Sequence, residues 1–153
     1  MSETSYRIVE LGSATGASSL QDWLERSESL HRQLRPAIPQ PYGSHIREMM
    51  AEGAQMALLL DDLELRALAV WRVYLSTYAG RRFYVDDLVV DESARGQGWG
   101  AKLLAWLEQK ARDLRCDTFA LDSGTQRQQA HRFYFRAGLV VNSFAFYKPL
   151  RER

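Results

Sequence analysis

Residues 82–101 read RFYVDDLVVDESARGQGWGA: an extended apolar run to Val90, then three glycines at alternate positions, Gly96, Gly98 and Gly100, where an amphipathic run begins. A strand gives way to a helix across a glycine-rich turn. Glycine admits positive φ and lets a ligand reach the backbone without a Cβ in the way, while the first turn of a helix offers unpaired N–H groups and the positive end of its dipole. Led by Arg95, the loop reads as a cradle for an anion.

On the amino-terminal side, residues 6–11 (YRIVEL) alternate as a first strand, and from Ser19 onward Leu20, Trp23, Leu24, Ser27, Leu30 and Leu34 recur at helical spacing, with Asp22 as a capping-box acid. Pro36, Pro39 and Pro41 end that helix, and Ile46, Met49 and Met50 mark a short second one that stops near Gly53. The period then changes to that of strands at 55–60, 64–76 and about 82–90, joined by turns at Asp61–Asp62 and Ala79–Gly80, which predicts an antiparallel meander leading into the glycine loop. Beyond it, Leu103, Leu104, Leu107, Ala111 and Leu114 share a helix face, and 118–121 (TFAL) reads as a short strand that completes a βαβ crossover. Ala130, Phe133, Tyr134 and Ala137 predict a last helix ending at Gly138, followed by strands around 139–142 and 144–149.

The 153 residues are of single-domain size, 46% hydrophobic and 25% charged, and are read as one domain over 1–153. No apolar run approaches the roughly 20 residues of a membrane span, and Met1 to Glu10 show no secretory pattern, so a cytoplasmic protein with no membrane partner is expected. A net charge of +1 supplies no global field for nucleic acid. Homodimerisation is left open. Cys116, the single cysteine, excludes an internal disulfide and a multi-cysteine metal site, and nothing else resembles a metal centre. One local basic excess exists: Arg127, Arg132 and Arg136 stand within 127–136, which holds no acid.

Several phosphate loops share such glycines. The P-loop requires Lys and then Ser or Thr after its last glycine, but Gly100 is followed by Ala101, Lys102 and Leu103. Gly96, Gly98 and Ala101 do satisfy G-x-G-x-x-A, with Asp117 about 20 residues on, as in dinucleotide folds. That fingerprint, however, opens a repeated parallel βαβ array, whereas this loop follows an antiparallel meander and precedes a single crossover.

With this element order the chain resembles the GNAT superfamily of N-acetyltransferases. Arg95, Gly98 and Gly100 match its pattern of Gln or Arg, two residues, Gly, one residue, Gly or Ala, and Ala130, Phe133, Tyr134 and Gly138 in AHRFYFRAG match its second signature. The resemblance implies an α+β fold: a mixed, mostly antiparallel sheet with a central βαβ crossover and helices on both faces. It implies acetyl-CoA as cosubstrate, its pyrophosphate on the loop formed by Arg95, Gly96, Gln97, Gly98, Trp99, Gly100 and Ala101, and its pantetheine arm along Leu88, Val89 and Val90. Ala130 and Phe133 would pack near the adenylate arm or the sheet. Arg127 stands where many members carry asparagine, a departure that still suits a phosphate.

Acetyl transfer to an amine needs a neutral nitrogen, yet an alkylammonium has a pKa around 10 and holds its proton at neutral pH. By resemblance to members with an acidic pair, Asp86 is expected to be the base, through water if needed, and Asp87 to hold the cationic acceptor. Consecutive strand residues face opposite sides, so both reach one site only if a bulge intervenes. Tyr134 resembles the tyrosine that protonates or stabilises the departing thiolate. The expected function is acetyl-CoA-dependent N-acetyl transfer to a primary amine of a small molecule or protein by direct attack on the thioester. The alternative is a non-catalytic acyl-CoA-binding or regulatory module.

Overall fold

The computed structural model describes residues 5 to 153; the first four residues of the amino-terminal stretch read above for a leader lie outside the described residues. The chain divides into two compact units, Met1–Ala120 and Leu121–Arg153.

The first unit is built on a sheet whose strands lie in chain order: β1 (Tyr6–Leu11), β2 (Gln55–Asp61), β3 (Glu64–Ser76), β4 (Gly80–Val90) and β5 (Thr118–Leu121). β2, β3 and β4 form the predicted antiparallel meander, and β1 joins it antiparallel along β2. At the other side, the Asp117 amide donates to the Arg81 carbonyl at 2.7 Å, and Phe119 stacks on Phe83 with ring centroids 5.4 Å apart. The starts of β4 and β5 therefore lie side by side, and the two strands run in the same direction. Helix α3 (Trp99–Asp113) makes the crossover between them.

Alternation along the strands separates two cores. On one face Leu58, Leu60, Leu68, Val70 and Val89 pack with Leu24 and Leu30 of α1 (Ala17–Leu34) and Ile46 and Met50 of α2 (Tyr42–Ala51). The opposite face carries α3, whose Leu103, Leu104 and Leu107 are buried, as are Leu59 and Phe83 on the strands. Each such side chain contributes about 1.5–3 kcal/mol by leaving water, so the helices are clamped to both faces. Helix α1 begins at Ala17 with Gly16 as an N-cap that offers no side chain, two residues ahead of the capping box read from Ser19. Among the described residues no helix is long and apolar enough to cross a membrane.

In the second unit, helix α4 (Gln128–Arg136) ends as predicted at Gly138, with φ +90°. The strands expected around 139–142 and 144–149 do not form. Their alternation is real, but alternation makes a strand only where a neighbouring edge takes up the backbone bonds. Here Val140, Val141, Phe144, Phe146 and Tyr147 stand exposed on a segment without ladder pairing.

Candidate functional site

At the end of β4, Asp91 starts the loop, its carboxylate accepting from the Ser93 amide at 3.2 Å and from Gln33 of α1 at 3.3 Å. Gln33 also accepts from the Glu92 amide at 3.0 Å, so α1 fixes the direction in which the chain leaves the sheet. A single 3-10 turn, Glu92–Ala94, leads to extended Arg95, and Gly96 and Gly98 then take φ +76° and +86°. Gly98 is the N-cap of α3 in the left-handed region, where a side chain would be strained and where it supplies no capping group.

The first helical bond of α3 runs from the Lys102 amide to the Gly98 carbonyl at 3.1 Å. By helix geometry the amides of Trp99, Gly100 and Ala101 precede it and lack an intrahelical acceptor. No acidic residue occupies that turn. The turn thus presents N–H groups and a positive dipole end with no carboxylate of its own in place. Two loop residues differ from a simple cradle. Gly100 lies inside the helix, and Trp99 is buried against Tyr6, with centroids 6.3 Å apart, so it offers a ligand its backbone and not its ring.

Leu88, Val89 and Val90 pair with Ala69, Leu68 and Ala67 of β3 along one edge. Toward the other edge, β5 starts beside Arg81 and has four residues, so it ends well short of Leu88. Val89 itself packs its side chain into the α1–α2 core.

The acidic pair sits on a bulge. Val70 pairs with Asp87 and Trp71 with Val85, leaving Asp86 as the extra residue of β4. Asp87 reaches α1: its Oδ2 accepts from His31 Nε2 at 2.8 Å and its Oδ1 from Arg35 Nε at 2.8 Å. Asp86 Oδ2 accepts from Arg72 Nε at 2.7 Å, and Arg72 lies two residues beyond Val70 on the same face. The bulge therefore brings both carboxylates to the α1 side of the sheet. His31 is 1% exposed, and its Nδ1 is 2.9 Å from the buried Tyr42 hydroxyl. The His31 ring thus bridges the Asp87 carboxylate at Nε2 and the Tyr42 hydroxyl at Nδ1.

Burial raises the Asp87 pKa, but the hydrogen bonds and charges of His31 and Arg35 outweigh it and hold the carboxyl below its ordinary 3.8. Burial, with the Glu28 charge, pushes the Tyr42 hydroxyl up. Because the folded Asp87 pKa lies below the unfolded one, its stabilisation is fully present above pH 3.8 and is lost as pH falls through the lowered value. Denaturant midpoints of wild type are expected to drop below that pH more steeply than those of Asp87→Asn. At neutral pH, Asp87→Ala is expected to lose about 2 kcal/mol, measured by urea unfolding.

Tyr134 lies on α4 in the second unit, half-buried, its ring 5.3 Å from that of Phe133. Ala130 shares this helix, and Arg127 is its N-cap residue. His131, on the same helix, donates from Nε2 to the Gly124 carbonyl at 2.8 Å.

The family model described as "Acetyltransferase (GNAT) family" matches residues 19–139. The chain belongs to this family. It is therefore an N-acetyltransferase, with the mixed sheet of that fold. The chain is similar to "Uncharacterized N-acetyltransferase YhdJ" of Bacillus subtilis, 29% identical over 136 residues, which cover 87% of this chain and 95% of the relative. It is 41% identical over 66 residues to "Aminoalkylphosphonate N-acetyltransferase" of Salmonella typhimurium, a match covering 43% of each chain. Among solved structures, the aminoglycoside N-acetyltransferase AAC(6')-Iy in complex with CoA superposes with a TM-score of 0.76 at 16% identity, covering 97% of both chains.

Within this GNAT frame, the sequence reading missed the α1 side of the site: His31, Gln33, Arg35 and, from β3, Arg72. A signal was present. Leu20, Leu24, Ser27 and His31 form one helix stripe, and the last two put polar groups on an otherwise apolar face, where a buried partner is required.

Proposed function

We propose that the chain transfers the acetyl group of acetyl-CoA to a primary amine of a small molecule or protein by direct attack of the nitrogen on the thioester. The observation that carries this reading is the open first turn of α3, with Gly98 at φ +86° and no acidic residue, placed at the end of a strand that outruns its neighbour β5. The pyrophosphate would lie on the amides of Gly98, Trp99, Gly100 and Ala101, with Arg95, Gly96 and Gln97 bordering it, and Arg127 would serve an outer phosphate. The pantetheine amides would bond the edge of Leu88, Val89 and Val90, with Ala130 and Phe133 as apolar packing. The CoA complex of a neighbour with the same fold supports this donor.

Asp86 takes the acceptor's proton, directly or through water, while the more deeply held Asp87 attracts the ammonium. Its depressed pKa suits Asp87 to a fixed charge better than to a base. Tyr134 gives a proton to the leaving thiolate. We take the two units as one acetyltransferase domain over 1–153, which the family match supports by running across their boundary. Small-molecule acceptors gain support from the relative named for aminoalkylphosphonates.

Initial rates measured over a grid of acetyl-CoA and amine concentrations are expected to give intersecting double-reciprocal lines. Parallel lines, the mark of a covalent acetyl-enzyme, would overturn direct attack. Asp86→Asn is expected to lower kcat about a hundredfold or more at neutral pH, with the loss shrinking as pH rises and the amine sheds its proton unaided.

A further inference from the structure

The face that carries Asp86 and Asp87 continues past the last turn of α1. Arg72 of β3 stands opposite Tyr84 of β4, and Tyr74 stands opposite Arg82, so these four side chains follow the carboxylates in successive rows of one sheet face. Contacts agree with the alternation: the Arg82 guanidinium lies over the Tyr84 ring, 5.3 Å from its centroid, and Arg72 reaches Asp86.

Charge on this face is unevenly matched. Arg35 is paired with Asp87 and Arg72 with Asp86. Arg82 forms no ion pair among the described residues, and its Nε is buried with no hydrogen-bond partner. A buried guanidinium donor left unmade is costly, and an anion that reaches it removes that cost. The contact with the Tyr84 ring helps to hold the guanidinium in place for a charge-assisted bond to an oxyanion.

We propose that Arg82 seats an anionic group of the acceptor, so that the substrate is a small amine carrying a carboxylate, phosphate or phosphonate on a short linker. This deepens the N-acetyltransferase reading and rests on it. Arg82 and Asp86 are four residues apart on one strand, at most about 13 Å between their Cα atoms. The arginine side chain takes up much of that span, which leaves room for a short aliphatic chain between anion and amine. The ammonium faces the carboxylates at the bulge and the anion faces Arg82.

The test compares aminoethylphosphonate and β-alanine with ethanolamine and propylamine, which have similar length and no anion. In wild type, kcat/KM is expected to favour the anion-bearing amines by about tenfold or more, and Arg82→Gln to reduce that preference by about tenfold, through KM. Arg82→Lys, which keeps the charge and the stem, is expected to recover part of it. Phosphonate over carboxylate, or the reverse, identifies the oxyanion. A preference ratio unchanged in Arg82→Gln, or a wild type that favours the neutral amines, overturns the proposal. If no amine is turned over, the N-acetyltransferase reading fails separately, and calorimetric titration of CoA-loaded protein with aminoethylphosphonate decides the seat: weaker binding in Arg82→Gln supports it, and equal binding refutes it.

Discussion

Gly98→Glu is expected to weaken acetyl-CoA binding about a hundredfold or more, roughly 2.7 kcal/mol, the largest effect of any single change in the loop. Two causes add. At φ +86° a residue with a Cβ pays about 1–2 kcal/mol to hold the left-handed conformation. The new carboxylate also stands at the helix end where the pyrophosphate is to bind, so it competes for the amides and repels the ligand. Its immediate chain neighbours aside, no atom of the described residues lies within 4 Å of a Cβ built at Gly98, so the protein has space for the side chain and the loss falls on the ligand. Gly98→Ala separates the two causes: it carries the backbone cost without the charge and is expected to lose about tenfold or less. Calorimetric titration with acetyl-CoA measures both, and near-wild-type affinity in Gly98→Glu would remove the loop from the cofactor site.

Tyr134→Phe is expected to lower kcat by about a hundredfold to a thousandfold, the range of a lost general acid, while the affinity for acetyl-CoA stays within about twofold. A thiolate leaves readily only if it is protonated or hydrogen-bonded as the carbon–sulfur bond breaks, and phenylalanine keeps the ring packing without the hydroxyl. An acyl donor with a more acidic thiol should narrow the gap between the variant and wild type, because its leaving group needs less help. If kcat is unchanged with acetyl-CoA, Tyr134 is not the acid. An equal loss with every leaving group assigns it to packing of α4.

The meander, the crossover and the loop were legible because each rests on local chemistry. Period-two runs bounded by Asp61–Asp62 and Gly80, and glycines at the start of an amphipathic run, fix their conformations with little help from the rest of the fold. The bulge at Asp86 was not legible. It depends on how Val70 and Trp71 meet β4, a matter of pairing across strands that one strand does not encode. The same holds for Asp87, whose two partners, His31 and Arg35, are 56 and 52 residues away in the chain. A buried carboxylate needs such partners, but nothing near it in sequence says which residues they are. The carboxy-terminal alternation from Leu139 onward misled for the converse reason: the pattern is local, but a strand also needs an edge to pair with.

Every role proposed for the loop, the acidic pair and Tyr134 depends on acetyl transfer from a CoA thioester to an amine. Incubation of the protein with acetyl-CoA labelled in its acetyl group and with aminoethylphosphonate, followed by mass spectrometry of the amine and thiol titration of CoA, tests it directly. One labelled N-acetyl product is expected for each CoA released, and neither in the absence of amine. CoA released without acetylated amine, or label retained on the protein, would contradict it.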